Sequence, residues 1–283
     1  MLVEILDGID GCLIYIKSAE YSPENAAIQN ILKNPHKIYK ENEYTIIRAN
    51  KIFETPETSS LEMQLNSELE ENMVRLLKTV VCPCRCTAVE NESVLRLPAD
   101  GWEELIDMWS CHCREFAHLA EQDIKPKKNG VLYSTLYLVI ENERVPKCIR
   151  SSMECDKKDD QQMYTKVFYN QITTGMPDEY FLFYYLYDAL QTRQEIEVVG
   201  EHGTYNIRLL DITYIYHGET TDSPVFNLSL KLAYKEVPSD KNQQAGLPYI
   251  NKYYTETLIS LLHKNRISIE MNKRTVSFIS KIL

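Results

Sequence analysis

Five of the chain's eight cysteines fall in two short groups, "CPCRC" at residues 82–86 and "CHC" at residues 111–113. A tetrahedral Zn2+ site asks for four soft or borderline ligands, usually delivered as two close groups from separate elements. The first group offers Cys82, Cys84 and Cys86, and the second offers Cys111, His112 and Cys113. Their spacing departs from the common Cys-x-x-Cys pair. In an extended segment, cysteines two apart point the same way and can face one ion. A tight turn would instead bring Cys82 and Cys86 together. The competing chemistry is a reactive thiol, which needs a base and an orienting group. His112 adjoins Cys111 in sequence, which is poor evidence for such a pair. The two-group design favours one structural metal ion over a thiol centre or an incidental cluster.

The other chemistry-bearing residues carry less. Cys12, Cys148 and Cys155 read as core or surface thiols; Cys155, in the charged "ECDKKDD", has the only case of these for an exposed nucleophile. His118 is an alternative ligand, His202 and His217 flank glycines at expected turns, and His36 and His263 lack nearby partners. No phosphate-binding loop, dinucleotide fingerprint, serine-hydrolase elbow or His-Glu-x-x-His helix is present.

The elements around the cysteines are legible in part. "VLRLP" reads as a strand, and "ADGWEELIDMW" as a helix capped by Asp100 with Glu103 three positions on. Trp102, Leu105, Ile106 and Trp109 share one side of that helix, so Cys111 to Cys113 would stand at its end. "LVEILD", "GCLIYIKS" and "YTIIRAN" read as strands, with a short helix or loop between the last two. "SLEMQLNSELEENMVRLL" and "DEYFLFYYLYDAL" fit helix or strand equally, and "GVLYSTLYLVI" reads as one strand. "QEIEVVG", "YNIRLLDITYIYHG" and "VFNLSLKLAYKEVP" are successive antiparallel strands, followed by a helix burying Leu258, Leu261 and Leu262 and a last strand "RTVSFISKIL".

The expected fold is therefore mainly β with several helices (α+β), antiparallel sheets with an inserted zinc knuckle. The chain divides into an N-terminal β region, residues 1–125, with the knuckle at about 82–113, and a C-terminal α+β region, residues 126–283. Net charge is −10, from 31 basic and 41 acidic residues, which disfavours direct nucleic-acid binding. Its basic stretches, "DIKPKKNG" and "MNKRTV", read as solvated turns. No apolar run is long enough to span a membrane. The acidic, charge-interrupted N-terminus does not read as an export signal, and eight cysteines then fit a reducing compartment.

"CPCRC…LRLPADGWEELIDMWSCHCREF", with "LPYINKYYTETLISLLHKN" and "NKRTVSFISKIL" at the other end, resembles the HECT-like, E2-binding ubiquitin ligase family. The resemblance implies zinc held by Cys82, Cys86, Cys111 and His112, and 19 tyrosines partly available as partner surface. It implies two partners: the metallo-β-lactamase-type endonuclease of the mRNA 3′-end cleavage and polyadenylation machinery, and a ubiquitin-conjugating enzyme. Residues 156–283 contain no cysteine, which excludes there the terminal acceptor thiol that a HECT mechanism requires. The first expectation is thus a non-catalytic, zinc-stabilised adaptor or chaperone-like factor for the endonuclease, nuclear and cytoplasmic. The alternative is an E3-type factor that recruits a conjugating enzyme. A ligase using Cys155 or a cluster thiol ranks third.

Overall fold

The computed structural model describes residues 1–6, 9–24, 29, 33, 36–50, 61–98, 124–150, 163–218, 225–237, 250–271 and 273–281. It is a mixed α+β chain with mostly antiparallel sheets, and it forms two compact units. The first comprises residues 1–58, 190–247 and 252–283, and the second residues 59–189 and 248–251. Among the described residues, no helix is long and apolar enough to cross a membrane.

The first unit is built on a nine-stranded sheet. Its strands are β1 (Leu2–Leu6), β2 (Gly11–Lys17), β3 (His36–Glu41), β4 (Tyr44–Asn50), β11 (Ile196–Val199), β12 (Thr204–His217), β13 (Asn227–Val237), β14 (Arg266–Met271) and β15 (Arg274–Ser280). The order is β14-β15-β13-β12-β1-β2-β4-β3, with β11 paired to β12, and each pair is antiparallel. The first strand is held beside β12, more than 200 residues on, with Leu2 opposite His217. One core cluster packs Leu2, Tyr15, Tyr44, Ile46, Ile215, Ile267, Ile269, Val276 and Phe278. Helix α4 (Lys252–Lys264) turns Tyr254, Leu258, Leu261 and Leu262 inward, the face its leucine spacing predicts. Its end is tied down where Ser277 Oγ donates to the Leu262 carbonyl at 2.9 Å.

Polar groups also enter this unit's interior. Glu4, fully buried, accepts from the Tyr15 hydroxyl at 2.7 Å and from Lys231 Nζ at 2.7 and 2.9 Å. Three strands are cross-linked by that arrangement: β1, β2 and β13. His263, expected to lack a partner, lies 5.7 Å from the ring centroids of both Tyr205 and Tyr234.

The second unit carries the cysteines. Helix α1 (Leu61–Leu77) opens it, and Leu65, Leu69, Met73 and Leu77 are its buried stripe at every fourth residue. The strands β5 (Thr79–Val81) and β6 (Ala88–Glu90) form a two-stranded hairpin. A four-stranded sheet follows in the order β10-β9-β8-β7, from β7 (Ser93–Arg96), β8 (Gly130–Tyr133), β9 (Tyr137–Glu141) and β10 (Tyr164–Phe168). The β7–β8 pair is parallel. The short helix α2 (Lys147–Arg150) lies between β9 and β10, and α3 (Asp178–Thr192) begins in this unit. Helix α1 is joined to α3 by Asn72 Nδ2 donating to the Tyr180 hydroxyl at 3.0 Å. Arg96 on β7 reaches Asp188 on α3 at 2.7 Å.

One expectation is corrected here. "GVLYSTLYLVI" is a hairpin, β8 and β9, because the chain reverses at Ser134: its N–H donates to the Tyr137 carbonyl at 2.8 Å. Tyr169 pins that turn, its hydroxyl donating to the carbonyls of Ser134 at 2.6 Å and Tyr137 at 3.0 Å. Most of the described tyrosines are packed in the interior, and few are left as partner surface. Tyr133, Tyr169, Tyr180, Tyr184 and Tyr254 are among the largest fully buried side chains, while Tyr39 and Tyr253 are the large exposed ones among the described residues.

Candidate metal centre

The β5–β6 hairpin closes through the six residues Cys82–Thr87, so the cysteines sit on a tight knuckle and not in an extended segment. The Arg85 N–H donates to the Cys82 carbonyl at 2.8 Å, and Cys82 N–H donates to the Thr87 carbonyl at 3.3 Å. Arg85 adopts φ +57° to complete the turn. Thr87 N–H points at the Cys82 sulfur, 3.3 Å away, as a donor that favours the thiolate. From outside, Thr173 holds the strand leading in: its N–H donates to the Val81 carbonyl at 2.8 Å and its hydroxyl to the Cys82 carbonyl at 3.2 Å.

The fourth thiol comes from elsewhere. Cys148 lies on α2, and Ile149 beside it is buried and anchors the helix. Arg144, just upstream, donates to the Gly130 carbonyl at 2.9 Å, the Glu90 carbonyl at 2.7 Å and Asn91 Oδ1 at 2.6 Å. Asn91 is itself buried and donates to the Leu77 carbonyl at 2.6 Å. This chain of bonds fixes the approach to α2 against the end of the knuckle hairpin. It accounts for Cys148 meeting the knuckle.

The result is four thiols, those of Cys82, Cys84, Cys86 and Cys148, whose sulfurs all lie within 4.8 Å of one another. The Sγ distances are 3.3 Å for Cys82–Cys84, 3.5 Å for Cys82–Cys86, 2.9 Å for Cys84–Cys86 and 3.7 Å for Cys86–Cys148. A tetrahedron with Zn–S bonds of about 2.3 Å has an S···S edge of about 3.8 Å. Three of those distances fit with small adjustment, and Cys84 and Cys86 would spread by about 1 Å to admit the ion. Both are exposed on the turn and have room to do so. Arg85, Lys147 and Arg150, neighbours of the ligands in sequence and all exposed, place positive charge beside a site that carries two net negative charges when four thiolates hold a divalent ion.

The four thiols do not titrate alike. Burial pushes the Cys82 thiol up, but hydrogen bonds from Cys84, Thr87 N–H, Cys86 and Cys148 outweigh it and bring it down to about 6. The hydrogen bond with Cys86 raises Cys84, and burial together with the surrounding thiols raises Cys148 to about 12. The thiol that ionises is thus the one fully enclosed. No histidine, aspartate or glutamate joins the cluster among the described residues to serve as a base.

Of the sequence candidates, Cys82, Cys84 and Cys86 are brought together here. Cys111, His112, Cys113, His118 and Cys155, and the helix drawn over "ADGWEELIDMW", lie outside the described residues. Cys148, which its sequence context presents as a core or surface thiol, instead joins the three knuckle thiols. Its sequence context, "PKCIR", gives no local sign of a ligand.

The described residues thus form a mixed α+β protein with a four-cysteine candidate metal site. A model of the HECT-like ubiquitin-conjugating enzyme (E2)-binding family matches residues 19–174, more than half of the 283, and the chain belongs to that family. The matched span contains all four cluster cysteines. What it describes is an E2-binding region, not a catalytic HECT domain. No curated protein and no solved structure matched the chain.

Proposed function

We propose that this chain recruits a ubiquitin-conjugating enzyme as a zinc-stabilised E3-type factor and does not itself carry ubiquitin. The family match over residues 19–174 is the observation that carries this reading. It reverses the order drawn from sequence alone, where the endonuclease adaptor came first. Zn2+ is the metal of this proposal because four thiolates at tetrahedral spacing suit it. We assign its ligands to Cys82, Cys84, Cys86 and Cys148, in preference to the set Cys82, Cys86, Cys111 and His112 that the resemblance implied. Its role is structural: the ion ties α2 to a hairpin with only three residues per strand. Such a hairpin is marginal by itself.

The test combines binding and transfer. Purified chain is mixed with activating enzyme, a panel of conjugating enzymes and ubiquitin. The expected result is stoichiometric capture of a conjugating enzyme with no reductant-sensitive ubiquitin adduct on the chain. A ubiquitin thioester on the chain would overturn the non-carrier role. Capture of the metallo-β-lactamase-type endonuclease, with no conjugating enzyme bound, would restore the adaptor reading and its link to mRNA 3′-end processing in the nucleus and cytoplasm.

A further inference from the structure

Strand β3 ends the nine-stranded sheet, paired to β4 on one side and to no strand on the other among the described residues. The β3–β4 hairpin closes from Glu41 to Tyr44 over two residues, with Asn42 at φ +52°. A two-residue loop makes its closing pair a hydrogen-bonded one, and pairs alternate from there. Glu41, Tyr39 and Lys37 therefore spend their backbone groups on β4, whereas Lys40 and Ile38 direct theirs to the open edge. Each residue from His36 to Lys40 is exposed, including Ile38 at 43% and Tyr39 at 42%. Alternation puts Ile38 on one face of the strand and Tyr39 on the other.

The charges select what can pair there. Lys37 stands directly opposite Arg48 on β4, and both are exposed. Like charges opposed across strands repel, and neither has an ion-pair partner among the described residues. Lys40 adds a third positive charge on the outer strand, while Glu41 and Glu43 confine negative charge to the turn end. Lysines on an edge strand guard it against pairing with a like strand. A second copy of this chain would bring the same Lys37, Lys40 and Arg48 with only Glu41 on the strand to answer them, so it relieves the repulsion less than an acidic strand does. An acidic strand would relieve the Lys37–Arg48 repulsion and complete the ladder.

We propose that β3 is a docking edge for an extended acidic segment of a partner protein, which adds as a tenth strand. Main-chain bonds to Ile38 and Lys40 supply the affinity, Ile38 and Tyr39 supply apolar contact on the two faces, and Lys37, Lys40 and Arg48 supply the charge preference. This assignment stands independently of the conjugating-enzyme reading.

The test uses the full chain and short synthetic peptides: alternating Glu and Val, alternating Lys and Val, and the acidic peptide with proline at alternate positions. Fluorescence anisotropy reads binding, and amide hydrogen exchange reads the edge. The expected result is binding of the acidic peptide alone, weakened by salt, with slowed exchange at Ile38 and Lys40. Ile38→Pro removes an outward N–H that β4 does not use and abolishes binding. Lys37→Glu with Arg48→Glu weakens it roughly tenfold and keeps the test alive should the proline variant unfold the hairpin. The proposal is overturned if no peptide binds, if these variants leave binding unchanged, or if the two amides are already protected in the free chain. Preference for single-stranded RNA over the acidic peptide overturns it as well.

Discussion

Cys86 and Cys148 are separated by 62 residues of chain, yet their sulfurs lie 3.7 Å apart. The two elements that carry them are short, a knuckle between three-residue strands and a four-residue helix. Neither is stable in isolation. Their meeting depends on the Arg144 bonds and on whatever the thiols hold.

Arg144 is the first place to test this. Its guanidinium serves two backbone carbonyls and the Asn91 amide oxygen, a fork that a lysine cannot reproduce. Arg144→Ala is expected to lower stability by about 1.5–3 kcal/mol and metal affinity by roughly tenfold to a hundredfold, as loss of an outer support commonly does. Arg144→Lys should recover little of either. Chelator competition and denaturant titration on the two variants measure both effects.

The proton balance of metal uptake follows from the thiols. Bound sulfurs are thiolates, whereas Cys84 and Cys148 have raised pKa values and hold their protons in the metal-free chain at neutral pH. Uptake therefore releases protons, so affinity rises with pH and falls as the solution is acidified. Calorimetry in buffers of different ionisation enthalpy is expected to show more than one proton released per ion near neutral pH. Uptake without proton release would mean that these thiols are not ligands.

The buried pair in the first unit gives a prediction unrelated to metal. Lys231→Met leaves the Glu4 carboxylate enclosed with only Tyr15 to answer it. Stability should fall by about 3–5 kcal/mol. Adding Glu4→Gln in the same chain should recover much of the loss, since the uncompensated charge is then gone. Urea titrations of the single and double variants decide it, and equal losses in both would show that the pair is not the cause.

What the sequence revealed depended on whether an element had one buried face. Strands β11 to β13 and helix α4 were legible because polar and apolar positions alternate at a clear period. Helix α3 was ambiguous because Tyr180 to Tyr187 are all buried, and an element that is apolar all round shows no period. Helix α1 needed its full length: "SLEMQLN" alternates like a strand, and only the run Leu65, Leu69, Met73, Leu77 fixes it as a helix. Strand β3 carries no such signal for the opposite reason, since none of its residues is buried. Of the candidate site, the three knuckle cysteines were visible as a cluster. Cys148 was not, because its membership is set by Arg144, Asn91 and the sheet, which no local spacing records.

Whether four thiols share one zinc ion is measured directly by metal content, by elemental analysis on chain purified without added metal. The two ligand sets differ at Cys84 and Cys148 on one side and at Cys111 and His112 on the other. One zinc per chain is expected, lost in Cys82→Ala, Cys84→Ala, Cys86→Ala and Cys148→Ala and kept in Cys111→Ala and His112→Ala. Zinc kept in Cys84→Ala and Cys148→Ala but lost in Cys111→Ala and His112→Ala would contradict the assignment. A folded chain with no bound metal would contradict the site itself.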